Sequence, residues 1–172
     1  MTSPADDLLA RVRALLGADV LDSHAHCGDA TVLVPLARTR ECLRRLQHDP
    51  ELAFNFLIDL TAVDYLGRQP RFELVYHLAS IDASPRDDAP SALPRRLRVK
   101  TAVPESPCEA DSICVLWEAA NWLEREVFDL YGIRFRDHPN LRRILLYEEF
   151  AGHPLRKDYP KTKRQPLVGP VN

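Results

Sequence analysis

The densest group of ionisable and aromatic side chains in this chain is Asn121-Trp122-Leu123-Glu124-Arg125-Glu126-Val127-Phe128-Asp129-Leu130-Tyr131-Gly132. On a helix, Trp117, Ala120, Val127, Phe128 and Tyr131 converge on one face, and Glu124 falls in the middle of it. Glu126 and Asp129 point away from that stripe, beside Trp122. Arg125 stands at i,i+4 spacing from both Asn121 and Asp129. A carboxylate on an apolar face is costly unless it is paired. The nearest supply of cations is the basic C-terminal stretch, so Arg142 or Arg143 is the expected partner of Glu124 or of another acid on this helix. Two carboxylates two residues apart on a helix diverge, which leaves Glu124 and Glu126 badly placed to work as an acid/base pair. A free-standing enzyme would have to gather Glu124, Asp129 and His138 in one concave pocket.

Other candidate ligands are scattered. In His24-Ala25-His26-Cys27 the two histidines share a face of a strand and Cys27 opposes them, with no second ligand cluster nearby. His77 sits on the polar side of an alternating strand. His138-Pro139 and His153-Pro154 are expected to be hydrogen-bonding turn residues. Cys27, Cys42, Cys108 and Cys114 form no Cys-x-x-Cys pair. That excludes zinc ribbons, thioredoxin motifs and self-contained iron–sulfur sites, and leaves reduced thiols as the simplest assignment. No Gly-x-Gly-x-x-Gly, Walker loop or Gly-x-Ser-x-Gly is present.

The elements that must position these residues follow from period and punctuation. Ser3-Pro4-Ala5-Asp6 is a helix start, Leu8, Leu9, Val12, Leu15 and Leu16 keep helical spacing, and Gly17 stops the helix. Residues 20–26 and 31–36 are expected as strands around a Gly28-Asp29 turn. Residues 39–48 form a second helix, with Thr39 as cap and Leu43 and Leu46 inward. Three strands follow. In 54–60, Phe54, Phe56, Ile58 and Leu60 share a face. In 71–79, Phe72, Leu74, Tyr76 and Leu78 alternate with Arg71, Glu73 and His77. In 95–103, Leu97, Val99 and Val103 alternate with Arg96, Arg98 and Lys100. A proline-bearing loop spans 82–94, and a long helix covers about 109–131 up to Gly132. The order α-β-β-α-β-β-β-α implies an α+β two-layer fold with a mixed or antiparallel five-stranded sheet. Residues 1–135 make the domain, and 136–172 make an extended C-terminal arm shaped by Pro139, Pro154, Pro160, Pro166 and Pro170.

The 172 residues suit one domain with appendages. The net charge of −2 argues against a general nucleic-acid binder. The charge is unevenly placed. Residues 134–172 hold nine Lys/Arg against four Asp/Glu, while 1–133 hold fourteen against twenty-one. A basic, proline-rich end on an acidic body suggests an arm that docks on something. Met1–Asp7 lacks the basic-then-apolar pattern of a signal peptide, and no apolar run approaches the ~20 residues of a membrane helix.

One resemblance goes further than composition. Glu124-Arg125-Glu126-x-x-Asp129-x-x-Gly132-Ile133-x-Phe135 is followed by His138-Pro139-x-Leu141-Arg142-Arg143-Ile144-Leu145 and then by Gly152-His153-Pro154-Leu155-Arg156-Lys157-Asp158-Tyr159-Pro160. This run resembles the 30 kDa subunit family of NADH:quinone oxidoreductase, respiratory complex I. Asp59-Leu60-Thr61-Ala62-Val63-Asp64-Tyr65 is similar to the family's mid-domain segment. The resemblance implies a non-catalytic subunit of the peripheral arm with no redox centre of its own. FMN, iron–sulfur clusters and quinone would be bound by partner subunits. It implies packing against the quinone-site subunit and the neighbouring iron–sulfur subunits of complex I, no nucleic acid, and indirect membrane association on the cytoplasmic side of the inner membrane. A similar subunit of a membrane-bound hydrogenase or related dehydrogenase is the alternative it leaves open.

Overall fold

A computed structural model describes residues 3–81 and 95–165. The loop expected at 82–94, and Pro166 and Pro170 of the arm, lie outside the described residues. Helix α1 spans Pro4–Leu16. Its Ser3 hydroxyl accepts from the Asp6 N–H while Asp6 reaches back to the Ser3 N–H, and Gly17 closes it. Strands β1 (Asp22–His24) and β2 (Thr31–Leu33) are shorter than the sequence suggests, since a turn of 3₁₀ helix takes up His26–Gly28. Helix α2 covers Thr39–His48. Thr39 is not its cap. It lies inside the helix, where its hydroxyl donates to the Pro35 carbonyl at 3.0 Å, and Arg38 precedes it without a side-chain cap.

Strands β3 (Phe56–Asp64), β4 (Phe72–Ser80) and β5 (Arg95–Val103) form the centre of a five-stranded sheet in the order β1-β2-β5-β4-β3. Only β2 and β5 run parallel, so the sheet is mixed. Rows such as Leu57-Leu78-Leu97 and Leu60-Tyr76-Val99 face inward. They join Leu8, Leu9 and Val12 of α1 and Leu43 and Leu46 of α2 in one apolar cluster. The four-residue face expected of Phe54, Phe56, Ile58 and Leu60 is broken. A bulge between Leu57 and Asp59 inserts an extra residue, which turns Leu57 and Leu60 inward and leaves Phe56 and Ile58 exposed.

The expected helix over 109–131 is half that length. Residues Glu109–Asp111 form β6, which pairs in parallel with β7 (Arg134–Arg136) so that Ala110 and Phe135 are both buried. Helix α3 then begins only at Ala120 and runs to Tyr131. A pairing across a whole helix leaves no local periodic signal, and no Gly or Pro within 109–119 marks the change. Ser112 contributes too: its hydroxyl accepts from the Cys114 N–H and favours a turn there.

Arg71 is the other departure. The alternation of β4 places it on the wet face, yet it is 2% exposed. Its guanidinium grips Asp64 with two bonds of 2.9 and 2.8 Å, and also reaches Glu105 and, on the arm, Asp158. Asp64 is held below the usual carboxylate range, chiefly by that pairing. Arg71→Leu strands Asp64 without its cation. It is expected to lower stability by about 3–5 kcal/mol, read as a fall in the urea midpoint, with part of the loss recovered when Asp64→Leu is added. An R71L midpoint equal to that of the wild type contradicts this reading.

Candidate functional site

The residues that the sequence marks out meet along a seam between α3 and the arm. An α-helix ends with carbonyls its own backbone cannot satisfy. The last four of α3 are each met. Phe128 O accepts from the Gly132 N–H at 2.9 Å, Asp129 O from His153 Nδ1 at 2.8 Å, Leu130 O from the Leu155 N–H at 3.1 Å, and Tyr131 O from Arg156 Nε at 2.5 Å. Gly132 is required twice over. Its φ of 75° is left-handed, and a Cβ there would stand 2.5 Å from His153 Nε2 and 2.7 Å from the Arg156 guanidinium. Gly152, with φ of 103°, turns the arm inward against Tyr159.

The Asp129 side chain holds the arm's first half. Its Oδ2 accepts from three consecutive backbone N–H groups, Ile144 at 3.1 Å, Leu145 at 2.9 Å and Leu146 at 2.9 Å, while Oδ1 takes Arg143 at 2.8 Å. Burial opposes the ionised form, but these donors outweigh it and hold the carboxyl below its ordinary range. Asp129 therefore does not point into solvent, because the arm covers it and leaves it 0% exposed. Arg125 works in the same place, donating to the carbonyls of Arg142 and Arg143. Further along, the Lys157 N–H donates to Asp64 and Asp158 pairs with Arg71, while Arg156 stacks over Phe72 at 5.2 Å. Pro139, Arg142 and Lys157 are exposed, Pro154 is half-buried, and Glu126 lies on the open side of α3.

Glu124 takes no arginine; the expected pairing went to Asp129 and Arg143. Its Oε1 accepts from the Ile113 N–H at 2.6 Å, and Cys114 Sγ donates to Oε2 at 3.5 Å. Burial pushes the Glu124 carboxyl above the usual range, against these hydrogen bonds. His138 Nε2 stands 4.0 Å from Oε2, with both side chains fully buried. Atoms of Cys114, Glu124 and His138 lie within 4.8 Å of one another, a set with metal-ligand chemistry. The fit fails at His138. Its Nδ1 accepts from the Asn140 N–H at 3.0 Å, which puts the proton on Nε2, aimed at the Asn121 carbonyl 3.2 Å away. A nitrogen carrying that proton has no lone pair for a metal, and a histidine ligand needs an acceptor, not a donor, behind it. The Cys114 thiol, pushed up to about 11 mainly by burial, is no ready thiolate. The trio is a buried knot in which Glu124 holds Ile113 and Cys114 of the turn before α3 while His138, at the start of the arm, holds the Asn121 carbonyl beside them.

Glu124, Asp129 and His138 line neither of two cavities formed by the described residues. A cavity of about 340 Å³ lies on the open face of the sheet beside Ile58, Asp59, His77 and Arg98, and one of about 710 Å³ lies between α1 and the start of β5. The rings of His24 and His26 lie against each other at a 32° tilt, with centres 4.3 Å apart. Sequence reasoning missed Arg71 and the knot partner Cys114. The signal for Arg71 was present as an Asp64 seven residues earlier, across a Gly67-to-Pro70 turn.

The fold and the seam define a class: an α+β subunit domain closed by its own basic arm. Residues 32–165 match the family model described as respiratory-chain NADH dehydrogenase, 30 kDa subunit. The corresponding NADH-quinone oxidoreductase C-subunit of Citrifermentans bemidjiense is 48% identical over 152 residues, covering 87% of each chain. That of Geobacter sulfurreducens is 44% identical over 162 residues, covering 92% of this chain and 93% of that protein. A solved structure of the trypsin-resistant fragment (1–134) of Nqo5 is similar at a TM-score of 0.63 and 33% identity, over 79% of this chain and 98% of that one. A chain of the archaeal membrane-bound sulfane sulfur reductase shares the fold, at a TM-score of 0.72 and 22% identity over 91% of this chain and 86% of that one. The chain belongs to the 30 kDa subunit family of the respiratory-chain NADH dehydrogenase, a peripheral-arm subunit of complex I, as its motif spacing implies.

Two outcomes test the seam. Asp129→Ala leaves three N–H groups and Arg143 without their acceptor and is expected to lower stability by about 3–5 kcal/mol in urea unfolding. An unchanged midpoint contradicts the seam. Burial holds His138 and His153 below their ordinary pKa. The unfolded chain therefore takes up protons first, and stability falls as pH drops through about 6.5. Glu124, with its raised pKa, works in the opposite direction at lower pH. Between about pH 7.5 and about pH 5.5 the His153→Asn variant is expected to lose less stability than the wild type, and equal losses contradict the assignment.

Proposed function

We propose that this chain is a non-catalytic structural subunit of the proton-translocating NADH:quinone oxidoreductase. It carries no redox centre, and FMN, iron–sulfur clusters and quinone are held by its partners. Those partners are chiefly the quinone-site subunit and the iron–sulfur subunits beside it in the peripheral arm. It attaches through them to the cytoplasmic face of the inner membrane. In this reading residues 1–135 form the folded body and 136–172 the arm.

One observation carries the reading. Four acids and bases of the signature that could do chemistry already serve the fold: Asp129 holds the arm, Glu124 holds the turn at Ile113, and His138 and His153 donate to backbone carbonyls. A buried carboxylate already hydrogen-bonded within the fold is poorly presented to a substrate. No helix among the described residues is long and apolar enough to cross a membrane. Relatives at 48% and 40% identity both bear the NADH-quinone oxidoreductase name, which favours that complex over a related reductase.

A tagged full-length chain recovered from detergent-solubilised membranes is expected to bring flavin, iron and NADH-oxidising activity with it, while the chain purified alone has none of the three. Flavin or iron bound stoichiometrically to the lone chain would overturn the proposal. So would recovery from membranes without any redox subunit.

A further inference from the structure

Most of the surface of α3 is occupied within the chain. Ala120, Glu124 and Val127 are buried in the body, and Arg125 and Asp129 hold the arm. The side left over carries Trp122 and Glu126 at i,i+4 spacing, with Glu118 one turn earlier in the bend that leads into the helix. All three are exposed, Trp122 at 64%. Among the described residues neither glutamate side chain has a hydrogen bond or ion pair. The Arg125 guanidinium lies 5.1 Å from the centre of the indole ring. An exposed indole flanked by two free carboxylates is a receptor for a cation, with one ring surface already taken and the other open.

We propose that the Glu118-Trp122-Glu126 stripe is a docking surface for a basic segment of a partner subunit, an arginine or lysine of which lies on the open face of the indole between the two carboxylates. This rests on the subunit reading above and names the chemistry of one of its contacts. Charge selects the occupant. A lipid surface presents anionic headgroups and repels the two carboxylates. A second copy docked two-fold would set this acidic stripe against itself. A segment bearing Arg or Lys satisfies both carboxylates and the ring together. The surface is also held rigidly. Trp117 Nε1 donates to the Asn55 carbonyl just before the start of α3, and the arm caps its end. A partner therefore binds it at little cost in ordering, and tryptophan at such a site typically carries a large share of the binding energy.

The test uses the tagged full-length chain expressed in its own membranes. Four variants are compared with the wild type: Trp122→Ala, the double variant Glu118→Lys/Glu126→Lys, Arg142→Glu as a basic-surface control, and Phe56→Ser on the open face of the sheet. Recovery of the redox subunits is read after washes of rising salt. Urea midpoints of the purified chains confirm folding. Trp122→Ala and the double glutamate variant are each expected to cut recovery at least about tenfold, with the controls unchanged. If the wild type recovers no partner, the subunit reading itself fails. If the wild type recovers its partners and both stripe variants do so equally well, the docking surface is overturned while the subunit reading stands. Loss confined to Arg142→Glu would show an acidic partner and overturn the proposal as well.

Discussion

The carboxylate of Asp129 and the bare carbonyl end of α3 together impose the constraint on which the rest of the chain depends. Four carbonyls at a helix end and one buried carboxylate all need donors. This chain supplies most of them from a downstream segment, with His153 reaching back across 24 positions. Once that is fixed, much else follows. Gly132 must be glycine because the imidazole and guanidinium of the arm approach its α-carbon. Three successive N–H groups must converge on one oxygen, so residues 144–146 adopt a tight concave path and not a strand or helix. The arm then runs toward Asp64 and Arg71, where a second buried charge cluster receives it.

Two acids on one helix illustrate how environment assigns roles. Asp129, surrounded by N–H donors and an arginine, is held in its ionised form. Glu124, five residues earlier, lies among apolar neighbours with a backbone N–H and a thiol, and burial drives it toward the neutral form. Each joins segments that are distant in sequence. The basic arm is in this sense both a ligand of its own domain and a source of outward charge. Arg143 and Arg156 turn inward to α3, while Arg142 and Lys157 remain exposed. A subunit built this way is a bracket whose shape is set before any neighbour arrives.

The parts of this architecture that were legible in the sequence are those with local causes. The Ser3–Asp6 cap, the bounds of α2 and β5, and the inward rows of β4 all follow from period and punctuation. The failures share one physical origin, which is non-local pairing. The bulge at Ile58 moved Phe56 out of the core, the β6–β7 pair displaced the start of α3, and Arg71 was drawn inside by acids on three other segments. At the seam, the spacing of Glu124, Asp129, Gly132, His153 and Arg156 marked the family, but not which acid would take the arginine. That choice depends on where the arm crosses α3, and helical geometry alone does not contain it.

The central claim is that the arm is bound to α3 in the lone chain, before any assembly. Amide hydrogen exchange on the purified full-length chain tests this most directly. Strong protection is predicted at Ile144, Leu145, Leu146 and Leu155, lost together when Asp129 is replaced by alanine. Exchange of those four amides in the wild type at the rate of an unstructured peptide would contradict it.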